Sequence, residues 1–134
     1  IVRPWLFRWQ PLWLLSWALL GCQGCGTLGQ LLRTAVRSVL PEALAARTRA
    51  VARLDVTAEL RLCHVPILYL QASDDIVVRP RSWEVVRSVR PDATMKVLPG
   101  PHLVLQVSPY AAAKELAAFC ERVGGDELSD GMES

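Results

Sequence analysis

The apolar positions of this 134-residue chain repeat in two different ways, and the change falls near residue 62. Before it the spacing is helical. Trp5, Trp9, Trp13 and Trp17 recur every four residues, which stacks them along one helical stripe. A break follows in "GCQGCGTLGQ" (21 to 30). In "LLRTAVRSVL" (31 to 40) the residues Leu32, Val36, Val39 and Leu40 repeat at three to four, while Arg33 and Arg37 share another face that is expected to be wet. "PEALAARTRAVARL" (41 to 54) sets Pro41 at a first helical position, where its missing N–H leaves no helical bond unmade. This half carries no convincing strand pattern.

After residue 62 the pattern becomes strand, helix, strand, helix. "VPILYL" (65 to 70) is a continuous apolar run bounded by "QASDD", as expected for a strand covered on both faces in a parallel sheet. "RSWEVVRSVR" (81 to 90) spaces Val85, Val86 and Val89 among charges at helical intervals, and "PDA" ends it. "TMKVLP" (94 to 99) predicts a second, shorter strand. The last helix takes Ser108 as N-cap, Pro109 as first residue, Leu116, Phe119, Cys120 and Val123 as buried stripe, and Gly124 as stop. The expected division is therefore a helical region over 1 to 61, an α/β core over 62 to 123, and a disordered acidic tail over 124 to 134, where "GGDELSDGMES" offers little apolar surface to bury.

Two strands joined through a crossover helix run parallel, so their C-terminal ends meet one edge. Asp74 and Asp75 follow the first strand and His102 follows the second, in "LPGPHLVLQ". Neighbouring strands lie about 4.8 Å apart, so short loops can bring a carboxylate to the imidazole. Ligands of open α/β sheets bind at that edge. His64 precedes its strand and belongs at the opposite one.

Composition narrows the partners. A formal charge of +2, with basic residues scattered instead of clustered, gives no footprint for nucleic acid. Four cysteines at irregular spacing do not make a disulfide framework, so a reducing, cytoplasmic compartment is expected. Cys22 and Cys25 have redox or metal spacing, but a structural zinc needs four ligands and the nearest further candidates are Cys63 and His64. The pair is read as small apolar side chains beside a glycine-rich turn, with no metal and no cofactor expected. The uninterrupted apolar run of residues 11 to 20 falls short of the roughly 20 residues that span a bilayer. Its tryptophans are expected to pack against the rest of the chain or to line an apolar pocket, a membrane surface being the less common outcome.

"VPILYLQASDDIVVRP" with "ATMKVLPGPHLVLQVSPYAAAKELAAFC" resembles the C-terminal part of an α/β-hydrolase, the serine hydrolase fold of esterases and lipases. The match covers about residues 64 to 120. The resemblance implies a parallel α/β sheet, Asp75 as the acid of a Ser-Asp-His triad, His102 as its base, and residues 1 to 61 as a helical cap over a pocket for a small apolar ester. Asp74 is the alternative acid. The sequence departs from the family's pattern in Ala72, Pro80 and Pro101. It also contains no G-x-S-x-G elbow, which precedes the acid and histidine in this fold. With Ile at position 1, the expectation is a nucleophile-bearing half upstream and a chain that is inactive by itself. Two other readings stay open: a non-catalytic binding or scaffold protein of the same fold, and a membrane-associated helical protein built on the tryptophan stripe, which leaves the strand-helix-strand half unexplained.

Overall fold

The computed structural model describes residues 12 to 130. Trp5 and Trp9, and the final four residues of the acidic segment, lie outside the described residues. Among the described residues four helices come first: α1 (Leu12–Leu20), α2 (Thr27–Arg37), α3 (Pro41–Arg53) and α4 (Thr57–Leu62), with a 3₁₀ helix, Gly21–Cys25, between α1 and α2. Then follow β1 (Leu68–Ala72), α5 (Arg81–Val89), β2 (Thr94–Leu98), the short α6 (Val104–Val107) and the long α7 (Pro109–Asp130). The fold class is mixed α/β with a parallel sheet. β1 and β2 pair in register from Leu68 opposite Thr94 to Ala72 opposite Leu98.

β1 starts later than the apolar run that announces it. Pro66 has no N–H to give to a ladder. The carbonyls on either side of His64, those of Cys63 and Val65, accept hydrogen bonds from the guanidinium of Arg90. Arg90 also holds Asp92 through two bonds of 2.8 and 2.5 Å. That contact draws the Asp92 carboxyl down to about 2. A planar fork of fixed donors thus joins the end of α5 to the entry of β1.

α7 covers the sheet, but not with the stripe expected of it. Ala112, Ala72, Leu98 and Val104 form the buried cluster, with Leu70 and Ala111 packed against them. Leu116 and Cys120 are exposed, while Phe119 and Val123 are half-buried. Small side chains let the helix axis approach the strands closely, so the alanine face wins the contact. Nor does Gly124 stop the helix. Its φ is not positive, and α7 continues helically to Asp130, through residues expected to be disordered. A C-terminal glycine ends a helix only when it turns left-handed, and here the i to i−4 ladder simply continues.

In the helical half, α1 buries Ser16 and Leu20, four residues apart, and leaves Trp13 67% and Trp17 56% exposed. The expectation that these tryptophans pack inward or line an apolar pocket fails for Trp13, while Trp17, though more than half exposed, lines an apolar cavity. α1 is apolar on nearly every side, so periodicity could not choose its inner face. Arg33 is likewise turned inward: its guanidinium donates to the Gly24 carbonyl at 2.9 Å and reaches Ser16 Oγ at 3.5 Å. No helix among the described residues is long and apolar enough to cross a membrane.

Candidate active site

The sheet ends at Ala72 and Leu98, yet the pairing of the two chains does not. Ser73 N–H donates to the Leu98 carbonyl and Asp74 N–H to the Gly100 carbonyl, each at 2.9 Å. In return Gly100 N–H donates to Ser73 Oγ at 3.1 Å, and that hydroxyl donates to Asp74 Oδ2 at 3.0 Å. Gly100 has φ +139°, a conformation that side-chain-bearing residues avoid. The two post-strand loops are therefore zipped together for two residues beyond the ladder.

Beyond this zipper Asp75 and His102 meet. Nδ1 of His102 lies 2.8 Å from Oδ2 of Asp75. The other carboxylate oxygen, Oδ1, accepts the backbone N–H groups of Val77 and Val78, both at 2.8 Å. The Asp75 side chain is only 9% exposed and that of His102 29%. Burial pushes the Asp75 carboxyl up, but the Val78 N–H, the His102 ring and the Val77 N–H together outweigh it and hold the group below its ordinary range. Asp75 is thus an ionised acceptor at neutral pH. The hydrogen on Nδ1 then points at the carboxylate, which leaves Nε2 as the ring nitrogen able to exchange a proton.

His102 is fixed from its other side too. Leu103 N–H donates to the Leu19 carbonyl at 2.9 Å, tying the histidine loop to the last turn of α1. Ser108, expected to cap α7 with its hydroxyl, instead donates that hydroxyl to the Pro99 carbonyl at 2.9 Å. It pins the loop that starts at the end of β2. Neither role has a signal in the sequence, because both bonds go to carbonyls, which every residue carries.

Asp74, the alternative acid, does not reach the imidazole. Its carboxylate faces Ser73 and the wall of a cavity of about 520 Å³. Trp17, Leu20, Ile76 and Pro101 also line this cavity, giving a largely apolar interior between α1, the 3₁₀ helix and the two post-strand loops. It lies beside the Asp75 and His102 pair, touching the neighbour of each. His64 sits before β1, at the opposite end of the sheet from His102.

No family model matches the sequence, and no curated protein matches it. Among solved structures it is similar to E-2-(acetamidomethylene)succinate hydrolase, with 26% identity and a TM-score of 0.52 over 57% of this chain. The chain spans 29% of that protein's length. That protein is an α/β-hydrolase, and the likeness supports a distant α/β-hydrolase relationship.

Proposed function

We propose that this chain supplies the acid and base of an α/β-hydrolase acting on a carboxylic ester, with the nucleophile carried by polypeptide outside these 134 residues. The observation that carries the reading is the 2.8 Å contact between His102 Nδ1 and Asp75 Oδ2 at the C-terminal edge of a parallel sheet. Nε2 of His102 takes the proton from a serine-type hydroxyl as it attacks the ester carbonyl, then returns it to the leaving alcohol. Asp75 holds the ring tautomer and stabilises the imidazolium that forms between the two steps. Helices α1 to α4 act as a cap, and the apolar cavity beside the pair, within the roughly 300–1,000 Å³ usual for small ligands, takes the acyl or alkyl part of the substrate.

The test is to read and express the coding sequence upstream of residue 1 together with this chain, and to measure hydrolysis of a short p-nitrophenyl ester. The expected result is a G-x-S-x-G elbow after a strand pattern, and activity that His102→Ala reduces by about 10²- to 10⁴-fold. The isolated chain is expected to be inactive. Activity of the isolated chain that His102→Ala abolishes would place the nucleophile within it instead.

A second reading keeps the same acid and imidazole contact in a non-catalytic binding or scaffold protein of the same fold. A longer product with no elbow and no esterase activity would select it.

A further inference from the structure

The hydrolase reading makes no use of Cys22 and Cys25. Both are free thiols and both are exposed. They lie three apart within the 3₁₀ helix Gly21–Cys25, and this geometry changes what their spacing means. A 3₁₀ helix has 3.0 residues per turn and rises about 2.0 Å per residue, so side chains three apart eclipse each other with their Cα atoms about 6 Å apart. A disulfide needs a Cα separation of about 4.4–6.8 Å with the Cβ atoms facing the same way. An α-helix would rotate the same pair about 60° out of alignment.

We propose that Cys22 and Cys25 form a reversible dithiol–disulfide couple whose oxidant is a low-molecular-weight disulfide of the glutathione class. The thiolate of one cysteine attacks a sulfur of the oxidant, forming a mixed disulfide and expelling one small thiolate. The second cysteine's thiolate then attacks the protein sulfur of that mixed disulfide, closing the Cys22–Cys25 bond and expelling the other small thiolate. The two cysteines lose two protons and two electrons, and the oxidant is reduced to two thiols. Excess reduced glutathione runs the exchange backwards.

The position gives the couple a consequence. Cys22 lines the 520 Å³ cavity. Gly21, just before it, has φ +59°, and a Cβ placed there would lie 3.5 Å from the ring of Pro101, the residue preceding His102. Closing the bond therefore fixes the cavity wall at the point where it supports the histidine loop.

The test is thiol counting on the full chain equilibrated in glutathione buffers of varied ratio, quenched in acid, alkylated and mapped by peptide mass spectrometry. In oxidised buffer the peptide holding Cys22 and Cys25 is expected to accept no alkyl group and to carry no glutathione, and excess reduced glutathione restores both of its thiols. Cys25→Ser is expected to trap glutathione on Cys22. Retention of four alkylatable thiols in oxidised buffer, stable glutathione on both cysteines, or a bridge to Cys63 or Cys120 would each overturn the proposal.

Discussion

Ser73 and Gly100 are joined across the two post-strand loops by one hydrogen bond, from the glycine N–H to the serine hydroxyl oxygen at 3.1 Å. That bond lies just before the point where the loops deliver Asp75 and His102. Ser73→Ala removes its acceptor and also the hydroxyl that donates to Asp74. The expected loss is about 1 kcal/mol in urea unfolding, since the freed groups are within reach of water. The Asp75 and His102 contact should loosen with it, which a changed NMR chemical shift of the His102 Nδ1 proton would report. An unchanged chemical shift would show that the pair is held without the zipper.

Asp75 gives a pH dependence whose sign follows from its surroundings. Burial opposes ionisation, but hydrogen bonds from Val78, His102 and Val77 hold the folded pKa below 3.8. The unfolded chain then binds the proton more readily, so the stability owed to this group is whole above pH 3.8 and is lost as pH falls through that value towards the folded pKa. Asp75→Asn should therefore lie below the native chain in stability at neutral pH, with the gap closing in acid. Asp55 and Asp92, also depressed, are present in both chains and cancel from the difference. Parallel curves at every pH would refute this.

Two glycines should respond oppositely to the same change. A Cβ on Gly29 would stand 1.8 Å from the Gly24 carbonyl oxygen, a backbone atom that cannot step aside. Gly29→Ala is expected to cost about 3 kcal/mol or more in thermal or urea unfolding. Gly124, inside α7 with nothing within 4 Å of its Cβ position, has room and a helical backbone. Gly124→Ala should stabilise the chain by about 0.4–1 kcal/mol. A neutral Gly29→Ala would mean that α2 can shift away from the 3₁₀ helix.

Arg90 tests whether the entry to β1 depends on a fork of donors or only on a positive charge. Arg90→Ala leaves the Cys63 and Val65 carbonyls without their partner and should lower the urea midpoint clearly. Arg90→Lys should recover less than half of that loss, because one ammonium cannot reproduce the planar array. Full recovery by lysine would show that charge alone suffices.

The alternation of apolar runs and charged helical stretches after residue 62 was enough to specify strand, helix, strand, helix. Parallel pairing then sends Asp75 and His102 to one edge whatever the loop details, because a crossover connection leaves both strands pointing the same way. Tertiary structure decided which carboxylate meets the imidazole: Asp74 is turned away by its bonds to Ser73 and Gly100, and Asp75 takes the contact. It also decided which helix faces pack, choosing Ser16 and Leu20 over Trp13 and Trp17, Ala112 over Leu116, and drawing Arg33 inward. Periodicity fixes the angles between side chains around a helix axis. The rotation of that axis is set by surfaces from distant parts of the chain, and these come together only on folding.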